Sequence, residues 1–277
     1  MNEKRIQELK GVAANIRREL IKAVHKAKSG HPGGSLSAVE ILTVLYYHKM
    51  RIDPKNPKWP ERDRFVMSKG HGQSAVLSAL ALRGFFPVEH LSKFRQIGDE
   101  IFGGGLTIKT PGGEITPGSL GQYLSVASGM AMAGRLDKKD YKVYVMLGDG
   151  ELAEGQNWEA FMAASYYRLG NLIAILDYNK VQQTGTNEEI MGLGDLEAKF
   201  KAFGWNVLRI DGHNIEQIAA ALDTIPNNPT GTPHIIIADT IKGKGVSYME
   251  GLCQWHAGAP NDEQLAVALK EIGGQVS

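Results

Sequence analysis

Asp149 and Asn179 stand thirty positions apart, and each lies just past a short apolar run: Val143–Leu147 (VYVML) before Gly148-Asp149-Gly150, and Leu172–Leu176 (LIAIL) before Asp177-Tyr178-Asn179. A carboxylate and a carboxamide are hard oxygen donors. Mg²⁺ favours such donors, commonly takes one or two protein carboxylates, and fills its octahedral shell with water and phosphate oxygens. A diphosphate would complete the set. Gly150 lets backbone pass close to a phosphate with no Cβ in the way, and the helical stretch after it can aim free N–H groups and a positive dipole end at the anion. The two residues together read as a metal-bridged diphosphate site, although GDG alone is more often a tight turn.

The elements that must bring them together are legible. Two runs rich in branched apolar residues flank an amphipathic helical stretch, which makes a βαβ unit and so requires a parallel sheet. In open parallel sheets, ligands sit beyond the carboxyl ends of the strands, where Asp149 and Asn179 can share one crevice. The expected fold is therefore α/β, a parallel sheet flanked by helices. Residues 3–28 read as an amphipathic helix with Ile6, Leu9, Ala13, Ile16, Leu20 and Val24 at spacings of three and four. Further helices are predicted over 36–50, 73–82, 123–135, 195–203 and 215–223, the last capped by Asn214, with a short final helix from Asn261-Asp262. Further strands are predicted over 65–68, 206–210 and 234–238.

With 277 residues the chain can bury a sizeable core, and we expect one domain over 1–277. Its 31 basic and 30 acidic residues leave a net charge of +1 without long charged blocks, which favours neither nucleic acid nor a membrane surface as partner. Cys253 is the single cysteine, so no intrachain disulfide forms. The charged N-terminus lacks the apolar core of a signal peptide, and no apolar run approaches spanning length. These features lead us to expect a cytoplasmic protein.

Several loops carry chemistry-bearing side chains. His31 lies in Ser29-Gly30-His31-Pro32-Gly33-Gly34, where glycines and proline expose backbone, and His71 lies between two glycines in Lys69-Gly70-His71-Gly72 at a strand-to-helix turn. Either imidazole could contact an anion or substrate, or serve as an ordinary loop histidine. Residues 102–122 form a long glycine-rich loop, of the kind that binds or covers a ligand or is simply mobile, ending in Gly118-Ser119-Leu120-Gly121-Gln122. Lys242 and Lys244 among glycines past the strand at 234–238 could neutralise a diphosphate or be solvated charges. His25 and His90 read as solvent-exposed, His48 as a helix-end histidine, and His213 as part of a turn.

SGHPGG, DRFVMSKGHG, GSLGQ, GDGELAEGQNWEA, NLIAILDYNKVQ, IKGKG and WHAGAPND occur in this order over almost the whole chain. In these segments the chain resembles the N-terminal half of transketolase, and most of all the small bacterial form split over two polypeptides. The resemblance implies the thiamine-diphosphate-binding fold of the family's diphosphate (PP) domain. It implies that Asp149, Asn179 and the carbonyl of Val181 hold Mg²⁺, for which Ca²⁺ or Mn²⁺ could substitute. Gly150, His71, Lys242 and His256 would lie along the diphosphate. The backbone of Gly118, Ser119 and Leu120 would face the cofactor rings. His31, His71 and His256 would serve proton transfer near the reactive carbon, and Glu154 would lie at a subunit interface that couples two sites.

The family moves a two-carbon ketol unit from a ketose, often a sugar phosphate, to an aldose. Its activating glutamate belongs to a pyrimidine-binding domain that follows the region resembled here. We therefore expect this chain to act with a C-terminal transketolase subunit that supplies that domain, as an α₂β₂ assembly. Two departures bear on substrate. Gly104-Gly105-Leu106 replaces the family's usual Gly-His-Pro, and Tyr123 stands where glycine is usual, so an altered sugar is expected. Two alternatives are the α-subunit of a 2-oxo-acid dehydrogenase and a non-catalytic thiamine-diphosphate-binding homologue.

Overall fold

The Asn2 side chain opens the first helix by accepting from the Arg5 N–H at 2.9 Å, and Lys28 closes it in the left-handed region. Between them α1 (Glu3–Ala27) buries the predicted stripe from Ile6 to Val24. The computed structural model describes residues 1–99, 105–227 and 230–274. The predicted second helix is broken: α2 (Pro32–Leu36) starts at the proline, a turn intervenes, and α3 (Val39–Val44) runs into a wider π turn ending at Lys49. Pro32 at the first helical position explains the early start, because its missing N–H has no intrahelical partner there.

β1 (Arg64–Met67) leads through a tight turn into α4 (Gln73–Arg83), which Gly84 ends at φ 96°. After the glycine-rich loop come α5 (Tyr123–Leu136), β2 (Val143–Gly148), α6 (Gly155–Tyr166) and β3 (Leu172–Tyr178). Then follow α7 (Asn187–Ile190), which the sequence reading lacks, and α8 (Leu196–Ala202). The chain continues with β4 (Asn206–Asp211), α9 (Ile215–Thr224), β5 (His234–Asp239) and α10 (Asp262–Gly274). Asn214 caps α9 as expected.

The five strands form one parallel sheet in the order β1-β2-β3-β5-β4. Side chains alternate between its faces. Tyr144, Met146, Ile173, Ile175, Ile236 and Ala238 join a core roofed by α1, α3, α4 and α9. Val143, Val145, Leu147, Leu172, Ala174 and Leu176 join the opposite core under α5, α6 and α8. Burial of both faces explains why the central strands read as continuous apolar runs, each large side chain contributing about 1.5–3 kcal/mol. Among the described residues, no helix is long and apolar enough to cross a membrane.

The register sets the site. Gly148 pairs with Asp177, Tyr178 with Asp239, and Met67 with Met146, so β1, β2, β3 and β5 end on one edge. Asp149, Asn179, Lys69 and Thr240 all follow those ends. Residues 105–122 lack helix and strand, as expected; residues 102–104 of the predicted loop lie outside the described residues.

Candidate functional site

A cleft of about 180 Å³ opens over the strand ends, lined by Lys69, His71, Leu120, Asp149, Gly150, Asn179, Val181, Lys242 and His256 among others. Asp149 is 3% exposed. Its Oδ1 accepts from the Gly150 N–H at 2.8 Å; its Oδ2 accepts from the Lys180 N–H at 2.5 Å and from Asn187 Nδ2 at 2.9 Å. Burial pushes the carboxyl above the usual range, and the Asp177 charge adds to the shift. A buried carboxylate of this kind favours a cation beside it.

One sequence expectation fails here. The Gly150 N–H is taken by Asp149 itself, and a short turn over Gly150–Ala153 precedes α6, which starts at Gly155. No long helix aims its first free N–H groups at the cleft from Gly150. The glycine still has a steric role, since a Cβ there would come within 3.1 Å of the Gln182 side chain.

Lys180, between Asn179 and Val181, adopts φ 69°, a left-handed conformation uncommon for a lysine. It turns its own N–H onto Asp149, while Asn179 Oδ1 accepts from the Val181 N–H at 3.1 Å. Strain of this type persists where the surroundings fix it, and commonly at functional sites. The Val181 carbonyl already receives a cation: Lys242 Nζ donates to it at 3.0 Å, to the Gln182 carbonyl at 2.7 Å and to His256 Nδ1 at 3.1 Å. Burial, with Lys69 nearby, brings the Lys242 ammonium down to about 8. The carboxylate, carboxamide and carbonyl oxygens suit a hard divalent cation, and Lys242 suits a phosphate.

His31, His71 and His256 form a triangle above these groups, with ring centroids 5.9, 5.5 and 5.0 Å apart. Burial and then Lys242 lower His256 to about 4. Burial and Lys69 hold His71 well below its ordinary value, and burial and Arg95 lower His31. All three are neutral near neutral pH. Because the Lys242 ammonium only donates, His256 Nδ1 accepts and its ring proton resides on Nε2.

Beneath the cleft Lys69 and Asp177 make a fully buried ion pair. Lys69 Nζ also donates to the Gly34 carbonyl at 2.5 Å, and Asp177 accepts from Ser37 Oγ at 2.6 Å and from Thr240. Burial opposes the Asp177 charge most, but Lys69 together with the Ser37 and Thr240 hydrogen bonds outweighs it and holds the carboxyl below its usual range. Beside them, the buried Glu151 carboxylate accepts from Gly148 N–H at 3.0 Å, Gly121 N–H at 2.9 Å and the Ser68 hydroxyl. These bonds fasten the Gly118–Gln122 loop to the strand ends. A Cβ on Gly118 would meet nothing within 4 Å, leaving that backbone open. Leu120 is half-exposed at the cleft and Ser119 is exposed.

Glu154 is not among the lining residues; it is exposed at the start of α6, with its Cβ against Gly121. Tyr123 is not among the lining residues; its hydroxyl donates to the Thr116 carbonyl at 3.0 Å. A Cβ on Gly105 would come 2.3 Å from Gln73 Oε1, which accepts the Leu106 N–H at 2.7 Å. His25 and His90 are partly buried rather than exposed, each 2.7–2.8 Å from a carboxylate, Asp262 and Asp99. His213 does more than make a turn: it bridges Glu40 at 2.9 Å and the Ile241 N–H at 2.8 Å.

Sequence reasoning missed Lys69, Asp177, Glu151 and Asn187. Asp177 had a visible signal, a charge closing an apolar strand. Asn187 had none, being one polar residue in a polar stretch.

The family model described as transketolase, thiamine diphosphate binding domain, matches residues 9–276. The chain is 46% identical over 260 residues to a protein of Phocaeicola vulgatus named as one subunit of an apulose-4-phosphate transketolase, covering 94% of this chain and 92% of that protein. It is 44% identical over 272 residues to 6-deoxy-6-sulfo-D-fructose transketolase subunit SqwG of Clostridium sp. (strain MSTE9), covering 98% of each. The structure of transketolase from Leishmania mexicana superposes with a TM-score of 0.88 at 30% identity, over 96% of this chain but only 41% of that one.

Proposed function

The chain belongs to the transketolase thiamine-diphosphate-binding family, and from that premise we propose that it is the cofactor-holding subunit of a two-chain transketolase. The observation that carries this reading is the triangle of neutral imidazoles over a cleft where oxygen donors and the Lys242 ammonium lie side by side. In it Asp149, Asn179 and the Val181 carbonyl hold Mg²⁺. Lys242, His71 and His256 face the diphosphate, and the Gly118–Leu120 backbone faces the rings. When bound, thiamine diphosphate supplies the carbon nucleophile and electron sink for moving a two-carbon ketol unit from a ketose to an aldose. His31, His71 and His256, neutral at working pH, accept and return protons at sugar hydroxyls.

The activating glutamate and the pyrimidine-binding domain come from a C-terminal partner subunit, as in an α₂β₂ assembly, with Glu154 at the interface. Two relatives are named as subunits of transketolases rather than as whole enzymes, which supports a partner. Their names also specify a phosphorylated and a sulfonated sugar. Together with Gln73 occupying the space beside Gly105, this favours an anionic ketose other than xylulose 5-phosphate as donor.

The test is reconstitution. The chain should co-purify with a partner and, with thiamine diphosphate and Mg²⁺, transfer a ketol unit only in the mixture; transfer by the purified chain alone overturns the two-chain reading. Gly105→His should displace Gln73 and lower kcat/KM for the native donor roughly tenfold or more, as expected for a misplaced sugar-reading group. Adding Gln73→Ala should restore part of the loss. Full xylulose 5-phosphate turnover by the unaltered pair would count against the altered-donor reading.

A further inference from the structure

The hydrogen bonds of Asp149 leave an unequal pair of oxygens. Oδ2 accepts two N–H groups, from Lys180 and from Asn187 Nδ2, whereas Oδ1 accepts only one, from Gly150. A carboxylate oxygen offers about two lone-pair sites, so Oδ2 is filled and Oδ1 keeps one free. Asn187 is 2% exposed, and its own Oδ1 has no hydrogen-bond partner. A buried carboxamide oxygen without a donor calls for an explanation, because most such groups are paired.

The placement of Asn187 is built rather than incidental. Thr186 and Glu189 form a reciprocal cap at the start of α7, which fixes Asn187 as its first residue. The Asn187 N–H donates to the Lys180 carbonyl at 2.9 Å, Gln182 N–H to the Gly185 carbonyl at 2.8 Å, and Val181 bridges to Thr186. The segment thus folds back onto the loop that carries Asn179 and Val181. The motif linking Asp149 to Asn179 assigns nothing to this position.

We propose that Asn187 is a positioning residue for the divalent cation. Its Nδ2 holds Asp149 Oδ2, so that the carboxylate meets the metal through Oδ1 alone. That orientation leaves the Asn187 Oδ1 unpartnered, a cost of the kind tolerated where a group is held for function. Groups that orient a ligand in this way typically change metal affinity roughly ten- to a hundredfold when removed. This inference rests on the metal reading above, and the experiment separates the two.

The full chain is titrated with Mn²⁺ in the presence of thiamine diphosphate, with free Mn²⁺ read by electron paramagnetic resonance and the melting temperature taken without metal. Asn187→Ala should raise the Mn²⁺ Kd roughly tenfold or more. Asp149→Asn should abolish binding. If the unaltered chain fails to bind Mn²⁺, or Asp149→Asn binds like it, the metal reading itself fails and this inference with it. If Asp149→Asn loses binding but Asn187→Ala keeps the original Kd, the role of Asn187 is overturned while the metal reading stands. A lower melting temperature with unchanged affinity likewise overturns it by making Asn187 merely structural. Should Asn187→Ala not fold, Asn187→Gln, which keeps an amide but moves it by one methylene, carries the same expected loss and the same contrary outcome.

Discussion

Lys242 shows how much one side chain can set. Its ammonium bonds two backbone carbonyls and an imidazole, yet burial and Lys69 bring it down to about 8. A diphosphate favours the charged form, so above about pH 8 binding must take up a proton. The affinity for thiamine diphosphate is then flat below that pH and falls as pH rises through it, approaching roughly tenfold per pH unit. Lys242→Arg stays charged throughout and should flatten the dependence, although its planar fork fits the two carbonyls less well. Calorimetric titrations at several pH values check this, and an unchanged slope in the arginine variant rules it out. At this scale Lys242 was legible in the sequence as a lysine among glycines. Its contact with Val181 was not, because it joins residues 61 positions apart through a fold-dependent bend.

The elements were legible where their periodicity was strong. α1, α4, α5 and the strands of the central unit follow from apolar spacing, and the register then forces Asp149 and Asn179 to one edge. The misreadings fall where local bonds override pattern. Pro32 starts a helix early, and the Asp149 side chain consumes the amide that GDG seemed to offer. Glu151 is the clearest case of a group that only the tertiary structure explains, since it ties β1, the end of β2 and the Gly121 loop together. Burial pushes its carboxyl up, and the Ser68 bond pulls the other way. Glu151→Ala leaves buried N–H groups unanswered and should cost about 2 kcal/mol or more. Limited proteolysis should then cut near residues 118–122 faster than in the unaltered chain, and an unmoved urea midpoint would speak against the tie.

Across the whole molecule, the three site histidines make acid stability a property of the cleft. Unfolded imidazoles titrate near pH 6.5, whereas folded His256 titrates at about 4 and His31 and His71 are also lowered. Between those limits the unfolded chain binds more protons. Stability is therefore intact above about pH 6.5 and is lost as pH falls toward about 4. Asp149 and Glu151, raised in the fold, act with the opposite sign at the acid end. His256→Asn should recover roughly 1–2 kcal/mol of the acid loss, allowing for a half-exposed ring, as read from urea midpoints at about pH 7.5 and about pH 5. The Lys69–Asp177 pair has a different reach. Removing either partner strands a dry charge at a cost of about 3–5 kcal/mol, while a matched apolar pair could be as stable as the original. No single substitution leads safely from one solution to the other. The charged floor of the cleft is thus held in place less by its own strength than by the depth of the intermediate step, a barrier that only two simultaneous changes could cross.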